Sequence, residues 1–227
     1  MPVIPDHSNQ VPSHVRVVVV GGGIVGSSVA YHLAKLGWKD ITLLEQNALA
    51  GGTTWHAAGM VGRLRTSSSM TRINEYSVQL YSSLEEETGH STGWKQVGSL
   101  IVARTQDRMR QLHRSVALAE YLGVEAMMID AETAGEKCSI MRSDDLLGAA
   151  WLPGDGKVVP KDTATALAKG AAARGVQILE GVRVTNVEHN HGRVTGVETN
   201  QGRIAADYVV LCGGMWTREL GLMCGVD

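Results

Sequence analysis

The spacing of hydrophobic positions changes twice within the first fifty residues. Val15–Val20 is a continuous β-branched run that stops at three glycines, a pattern typical of a strand buried on both faces of a parallel sheet. The next stretch has helical spacing and ends at Gly37. A second apolar run, DITLLEQ, follows and predicts another strand. The predicted buried face of the helix consists of Val25, Val29, Leu33 and Leu36.

Strand, glycine turn, helix and strand in this order predict a βαβ unit with a right-handed crossover. The last part of the chain has a different pattern, because short β-rich runs alternate with turn signals at His191-Gly192 and Gln201-Gly202. These runs predict a three-stranded meander. Its last strand continues as DYVVLCGGMW and stops at Gly213 and Gly214. A simple NAD dehydrogenase would continue the βαβ alternation, so the meander favours the FAD-binding domains of the glutathione-reductase and D-amino-acid-oxidase kind.

Composition narrows the class of partner. The chain has 227 residues with 44% hydrophobic content, 21 basic and 23 acidic residues, which suits one large or two small domains. No block of like charge suggests nucleic acid or a membrane surface, and no run approaches the roughly 20 apolar residues of a membrane span. We therefore expect a small-molecule partner. The start, MPVIPDHSNQVPSHVR, resembles neither a secretory signal nor a transit peptide, and predicts a short disordered leader.

The cysteine and histidine patterns predict no metal site. Three widely spaced cysteines argue against a disulfide framework and favour a reducing compartment. Cys212 lies in an apolar strand and is expected to be inert. His189 and His191 flank a turn without a third ligand nearby and are expected to be solvated. Methionine and aliphatic residues at helical spacing predict core packing in the middle of the chain, at Met109, Leu112, Val116 and Ala119.

The glycine turn predicts a dinucleotide site. Gly21, Gly23 and Gly26 occupy the positions of the G-x-G-x-x-G pattern, and Glu45 closes the second strand. The first glycine allows a tight turn, the second lets a pyrophosphate approach the backbone, and the third lets helix and strand pack closely. The helix N-terminus stabilises phosphate groups, and Glu45 can accept both ribose hydroxyls. An acidic residue disfavours a 2′-phosphate, so NAD or FAD is preferred over NADP.

A second candidate stretch is GGTTWHAAGM, which carries a Trp-His pair among small residues. Small residues allow close approach to a flat ring, and a neutral imidazole is a nucleophile. The alternative is that His56 is an ordinary loop histidine.

Downstream, three arginines could bind a substrate carboxylate, since a guanidinium suits that group. The alternative is that they are surface charges on a helix that carries Ile73, Leu80 and Leu84. These arginines are Arg63, Arg65 and Arg72.

Several segments together resemble the N-terminal flavin region of the sarcosine and dimethylglycine dehydrogenases, from about Val15 to the last residue. They are VVVVGGGIVGSSVAYHLAKLGWKDITLLEQ, GGTTWHAAGM, LYSSLEEETG, GSLIVA, LPGDGKVVP and DYVVLCGGMWTRELG. The chain also resembles the regulatory subunit of pyruvate dehydrogenase phosphatase. The resemblance implies an α/β chain with a Rossmann-like FAD-binding domain and part of a β-rich substrate domain.

The resemblance also implies roles for individual residues. In the dehydrogenases the histidine of the Ser/Thr-Thr-Trp-His motif carries the flavin covalently, and His56 occupies that position. The phosphatase subunit lacks this histidine, so Trp55-His56 favours the enzyme branch. Ile24 and Val25 would meet the pyrophosphate, Glu45 and Gln46 the ribose, and the backbone of Val184 the adenine. The stretch between pyrophosphate and flavin would comprise Gly52, Thr53, Thr54, Trp55, His56, Ala57, Ala58, Gly59 and Met60.

Two functions remain open from the sequence. The first is an FAD-dependent amine dehydrogenase for N-methyl amino acids, whose electron acceptor is unknown. The second is a non-catalytic regulatory subunit that keeps the flavin fold. The resemblance implies a mitochondrial matrix protein in a eukaryote and a cytoplasmic one otherwise, with no membrane or nucleic-acid partner.

The domain plan implied by the resemblance is discontinuous. Residues 1–90 and 158–227 would form an incomplete flavin domain, and residues 91–157 the first part of the substrate domain. The chain looks like a fragment, because relatives continue into more of the substrate sheet and often into a tetrahydrofolate-binding half. The catalytic base and most ligands of a substrate carboxylate therefore remain unassigned.

Overall fold

Residues 10–227 are described in a computed structural model. Residues 1–9 of the predicted leader lie outside them, but its last three residues, His14–Arg16, belong to the first strand, so the prediction of a disordered leader up to Arg16 is wrong at that end. The chain divides into two compact units. The first comprises the residues up to Ala58, Leu84–Thr92 and Val159–Asp227, and the second comprises Gly59–Ser83 and Gly93–Val158. The expected domain plan assigned residues 59–83 to the flavin domain, whereas in the structure they belong to the second unit.

Strands and helices alternate in the first half of the chain, whereas strands dominate the second half. The strands are β1 (His14–Val20), β2 (Ile41–Glu45), β3 (Met60–Val61), β4 (Ser99–Ala103), β5 (Met127–Ile129), β6 (Gly148–Leu152), β7 (Gly156–Lys157), β8 (Gln177–Glu180), β9 (Val184–Asn190), β10 (Arg193–Thr199) and β11 (Gly202–Leu211). The helices are α1 (Ile24–Lys35), α2 (Ser68–Thr88), α3 (Gln106–Tyr121), α4 (Ala131–Lys137), α5 (Pro160–Ala172) and α6 (Thr217–Leu222). Two single 3₁₀ turns cover Thr54–His56 and Gly214–Trp216.

The first unit is built on one six-stranded sheet in the order β8-β2-β1-β11-β10-β9. The pairs β8-β2, β2-β1 and β1-β11 are parallel, and β9, β10 and the first part of β11 form the antiparallel meander. The sequence predictions of a βαβ start and of a meander are confirmed. The hairpin turn between β9 and β10 places His191 and Gly192 at φ 48° and 74°, as a two-residue turn of this kind requires.

The predicted face of α1 is wrong. Val25 is 60% exposed and Leu36 is also exposed, whereas the buried face consists of small residues and one tyrosine. The reason is close packing against α5, where a Cβ on Gly170 would come within 2.8 Å of the Tyr31 ring. Small side chains let the two helix backbones approach. The buried residues of α1 are Gly26, Ser27, Ala30, Tyr31 and Ala34.

The other face of the sheet carries an apolar cluster that joins β1 to the meander. Val18 and Val20 of β1 pack with residues from β2, β8, β9, β10 and β11. Leu220 and Met223 from the C-terminal segment also pack against this cluster. Burial on both sides explains why β1 has no polar residue after Arg16.

The second unit contains a three-stranded antiparallel sheet, β4-β6-β5, and a two-stranded ribbon, β3-β7. The stripe Met109, Leu112, Val116 and Ala119 of α3 was predicted to be core, and its first three residues pack against Ala103 and Ala150. Ala119 is also fully buried. By contrast, Ile73 of α2 is 57% exposed, whereas Leu80 and Leu84 of the same helix are buried. Within residues 10–227, none of the helices combines the length and apolarity needed to cross a bilayer.

Candidate functional site: a dinucleotide cleft

A cleft of about 390 Å³ opens at the carboxyl ends of β1, β2 and β11, entirely within the first unit. Ligands of open α/β sheets bind at this edge, because the strands end there and helix N-termini face it. Ten of the expected cofactor residues line the cleft: Gly21, Gly23, Ile24, Val25, Glu45, Gln46, Gly52, Thr53, Thr54 and Val184.

The three glycines of the pattern are needed for different reasons. Gly21 has φ +108°, and a Cβ there would overlap the carbonyl oxygen of Cys212. A Cβ on Gly26 would overlap the carbonyl oxygen of Gly21. At Gly23, the only atom within 4 Å of a Cβ would be Thr54 Oγ1 at 3.1 Å, so a side chain would point into open space. This space is what a bound pyrophosphate needs, and the turn therefore fits a dinucleotide.

The first turn of α1 supplies backbone donors to the cleft. An α-helix leaves its first amide groups without an intrahelical acceptor, and α1 has no side-chain N-cap. The amide of Ile24 instead donates to Thr54 Oγ1 at 3.0 Å, across 30 positions of sequence. Val25 lines the cleft, and its amide is the donor that the helix geometry leaves there for an anionic group.

Glu45 lies at the end of β2 and is only 9% exposed. Its Oε2 accepts a hydrogen bond from the Gly22 amide at 2.7 Å, and its Oε1 accepts one from the Asn47 amide at 2.9 Å. Each carboxylate oxygen has a second lone pair, so acceptance of ribose hydroxyls stays compatible with these bonds. Gln46 lines the same part of the cleft and is exposed.

The stretch that starts at Gly52 leaves the cleft as it proceeds. Thr54 is buried, whereas Trp55 is 55% exposed and His56 is also exposed. The indole and imidazole rings stack on each other, with centroids 3.8 Å apart. The amide of His56 donates to the carbonyl of Thr53 at 3.2 Å, which closes the 3₁₀ turn.

The remaining expected cofactor residues do not line the cleft. Ala57 and Ala58 are exposed and end the first of the three segments that form the first unit. Gly59 and Met60 belong to the second unit. The carbonyl of Gly59 accepts from the Val158 amide at 2.9 Å, and Met60 pairs with Lys157. Gly26 lies behind the turn, as its packing role requires.

Several lining residues were not found from the sequence. Gly22 does not line the cleft, because it packs against the protein: a Cβ there would come within 2.7 Å of Leu49 and 2.9 Å of the Glu45 Cβ. The lining residues that the sequence did not reveal come from segments whose approach depends on tertiary structure, such as Asn47, Arg183, Trp216, Glu219, Leu220 and Met223. Cys212 also lines the cleft, and burial raises the pKa of its thiol, as an inert cysteine requires.

A separate polar cluster lies in the second unit. Asp155 is 5% exposed, and its two oxygens accept from the Arg63 amide at 2.9 Å and from Ser99 Oγ at 2.6 Å. The Arg63 guanidinium packs over Gly154, where a Cβ would be 2.8 Å from Cζ, and its Nε is buried without a partner. Arg65 Nη1 donates to the Leu64 carbonyl at 2.7 Å. Sequence reasoning missed Asp155.

The two histidines that were expected to be solvated lie on the surface. His189 and His191 are exposed at the meander turn, and Arg72 is exposed on α2. Over residues 10–227, no group of three or more histidine, cysteine or acidic side chains could hold a metal ion.

Comparison with known proteins identifies the family. The profile of the DAO family, described as FAD dependent oxidoreductase, matches residues 16–227. The chain belongs to this family. Membership in the DAO family implies FAD as the cofactor, and the open space at Gly23 and the N-terminus of α1 suit its pyrophosphate.

Curated relatives agree with this assignment. The chain is 44% identical over 216 residues to the pyruvate dehydrogenase phosphatase regulatory subunit of Mus musculus, covering 95% of this chain and 25% of that protein. It is 39% identical over 231 residues to the sarcosine dehydrogenase of Mus musculus, covering 99% and 25%. It is 37% identical over 212 residues to the dimethylglycine dehydrogenase of Rattus norvegicus, covering 93% and 25%. The chain thus spans about a quarter of the length of these relatives.

Solved structures show the same fold. The L-proline dehydrogenase from P. horikoshii matches with a TM-score of 0.90 and 29% identity, over 96% of this chain and 57% of that chain. The glycine oxidase from Geobacillus kaustophilus matches with a TM-score of 0.83 and 28% identity, over 95% and 60%. The predicted α/β fold of the flavin oxidoreductases is confirmed.

Proposed function

We propose that this chain is the N-terminal part of an FAD-dependent dehydrogenase that oxidises N-methyl amino acids of the sarcosine or dimethylglycine type. The observation that supports this most directly is the position of His56. The stretch that lines the cleft up to Thr54 continues to the exposed His56 imidazole, which makes no side-chain hydrogen bond to residues 10–227. The names of several relatives, sarcosine and dimethylglycine dehydrogenase, support the same substrate class.

In this proposal the protein binds and orients, and the cofactor supplies the redox chemistry. Ile24 and Val25 at the start of α1 would meet the pyrophosphate, with the Val25 amide as its donor, Glu45 and Gln46 would meet the ribose, and Val184 the adenine. The Thr54 side chain accepts a hydrogen bond from the Ile24 amide at the start of α1. This bond positions the 3₁₀ turn that contains His56. Acceptance of a hydride from the substrate carbon is the chemistry that bound FAD supplies.

His56 would carry the flavin covalently. The attachment replaces one C–H bond of the 8α-methyl group and one imidazole N–H bond by a C–N bond. Two electrons and two protons therefore leave to an acceptor such as dioxygen. A neutral imidazole is the nucleophile that this bond needs. His56 is exposed, so its ring nitrogens are accessible in the first unit.

Arg63 is our candidate for the substrate carboxylate. Its Nε is buried without an acceptor, and Asp155 bonds to its main-chain amide instead of its side chain. At least one N–H donor of the guanidinium therefore has no acceptor in the described residues, and an anionic ligand is the partner that suits this group. Arg65 is the second candidate, and its Nη1 is already used by a carbonyl of its own loop.

A regulatory function is the alternative, because the 44% identity to the phosphatase regulatory subunit is higher than the identity to the dehydrogenases described above. In that case the cleft would keep FAD without amine turnover. The mammalian relatives are named as mitochondrial proteins, and we propose a mitochondrial matrix location if the source is a eukaryote.

Acid precipitation of the full-length protein tests the proposal. We expect yellow, fluorescent flavin to stay on the polypeptide, a His56 peptide with the added mass of FAD, and bleaching of flavin absorbance by sarcosine or dimethylglycine. His56→Ala should release all flavin on acid treatment, and the matched control His191→Ala, an exposed turn histidine, should not. Flavin that no N-methyl amino acid reduces would support the regulatory alternative, and acid-released wild-type flavin would refute the covalent bond.

A further inference from the structure

The Glu45 carboxylate is the centre of a hydrogen-bond network made with the protein backbone. Its two oxygens hold the amides of Gly22 and Asn47, which lie on either side of the carboxylate in the tertiary structure. The bond to Gly22 spans 23 positions of sequence. The carboxylate thereby ties the glycine turn to the loop that follows β2.

Backbone contacts connect the same two segments in the opposite direction. The amide of Ala50 donates to the Gly22 carbonyl at 2.9 Å, and the Gly21 amide donates to the Leu44 carbonyl at 2.8 Å. The Leu49 side chain and the Glu45 Cβ close over Gly22 so tightly that a Cβ has no room there. Gly22 is therefore held from both sides, and its amide can reach only the acceptor that Glu45 presents.

We infer that Glu45 is a positioning residue for the glycine turn, in addition to any contact with the ribose. It sets the open space at Gly23 and the direction of the first α1 amides by holding the Gly22 and Asn47 amides. This inference rests on FAD binding in the cleft, which is part of the proposed function.

Glutamine at this position separates the two roles. A glutamine side chain has one acceptor oxygen and an NH₂ group, so one of the two backbone amides would face a donor and lose its bond. A ribose hydroxyl can donate or accept, so glutamine could still bond to the ribose. Glu45→Gln is thus expected to be mild if Glu45 acts through the ribose alone, and severe if it positions the turn.

The experiment compares two cofactors. Full-length protein with His56→Ala, which allows reversible binding, is titrated with FAD and with an FAD analogue that carries 2′,3′-dideoxyadenosine. Glu45→Gln is introduced in this background, and Glu180→Gln is the matched control, because Glu180 loses the same charge and accepts only the Leu49 amide in the same loop. Flavin fluorescence gives the dissociation constants, and thermal unfolding of the flavin-free proteins is measured alongside.

We expect Glu45→Gln to weaken both cofactors by about 30-fold, corresponding to about 2 kcal/mol for the disturbed amide bonds, and to lower the melting temperature of the flavin-free protein. Glu180→Gln should change neither quantity appreciably. A loss that appears with FAD and disappears with the dideoxy analogue would overturn the inference, as would an equal loss in Glu180→Gln. Failure of the starting protein to bind either cofactor would instead refute the proposed function.

Discussion

The first unit and the second unit each contain a tight glycine turn with a buried carboxylate, and only one of the two turns leaves room for a ligand. Glu45 accepts from Gly22 and Asn47, and Asp155 accepts from Arg63 and Ser99. In both cases hydrogen bonds from neutral protein groups take the place of hydrogen bonds from water, which lowers the cost of burying a carboxylate. Burial and hydrogen bonding alone therefore do not distinguish a ligand site from a structural one.

The space in front of the turn makes the distinction. Beside Gly23 a new side chain would meet only one atom, Thr54 Oγ1, within 4 Å. Beside Gly154 the Arg63 guanidinium already occupies the space, and beside Gly156 a Cβ would come within 2.7 Å of the Lys95 carbonyl. Gly23 leaves space for a ligand, whereas Gly154 and Gly156 leave space for other atoms of the protein. Substitutions distinguish the two cases.

The largest effect is expected for Gly26→Ala. Its Cβ would overlap the Gly21 carbonyl, which is backbone and cannot move away without opening the turn. Overpacking of this kind costs about 3 kcal/mol, so we expect a lower melting temperature of the flavin-free full-length protein and loss of bound flavin. Unchanged unfolding would show that α1 can shift away from β1.

Gly23→Ala should separate binding from folding. The added methyl group enters the open cleft, so the unfolding free energy of the flavin-free protein should change by less than about 1 kcal/mol. With His56→Ala as the background here and for Asp155, so that binding is reversible, FAD affinity should fall by about 100-fold, because the methyl group takes the place of the pyrophosphate. Flavin titration and thermal unfolding measure the two quantities, and a Gly23→Ala protein that purifies fully loaded with FAD would contradict the ligand assignment.

Asp155→Ala should show the reverse pattern. It leaves the Arg63 amide and the Ser99 hydroxyl without their acceptor, which costs about 3 kcal/mol of stability. The FAD dissociation constant should stay the same, because Asp155 lies in the other unit. Asp155→Asn is the matched control, since an amide can accept from the Arg63 N–H and donate to Ser99 Oγ. Equal destabilisation by both substitutions would mean that the charge matters more than the bonds.

Glu87 extends the comparison to a carboxylate with a cationic partner. Partial burial acts to raise its pKa, but hydrogen bonds from Tyr31 and the charge of Arg174 outweigh it, and the pKa lies below the ordinary value of 4.5. Tyr31 Oη donates to the two oxygens at 2.8 and 2.7 Å, and Arg174 contacts Glu87 at 2.8 Å. Because the folded-state pKa is lowered, this stabilisation is present above pH 4.5 and is lost as the pH falls through the folded-state value.

Tyr31→Phe should therefore have the smallest effect of the series, about 1 kcal/mol at pH 7. The difference in unfolding free energy between Tyr31→Phe and wild type should shrink as the pH falls below 4.5. Denaturant unfolding at several pH values measures it. A difference that stays constant through this range would show that the hydroxyl does not depend on the ionised carboxylate.

The sequence alone determined the parts of this protein that local patterns encode. The run Val15–Val20, the glycine turn, the strand that ends at Glu45 and the meander with its His191-Gly192 turn all follow from spacing and turn chemistry within short windows. The Thr-Thr-Trp-His stretch, by contrast, was singled out by its resemblance to the motif of the dehydrogenases. These features are local because φ/ψ preferences and alternation act between near neighbours.

Tertiary structure decided which of these positions meet. Val25 and Leu36 were expected to face the core, but α5 arrives more than a hundred residues later in sequence and packs on the small residues of α1 instead. Arg63 and Asp155 are 92 positions apart, and no local pattern marks them as partners. The role of Glu45 in holding Gly22 was hidden for the same reason. Contacts between distant positions depend on how the elements fill space together, and close packing allows only the pairs whose side chains fit.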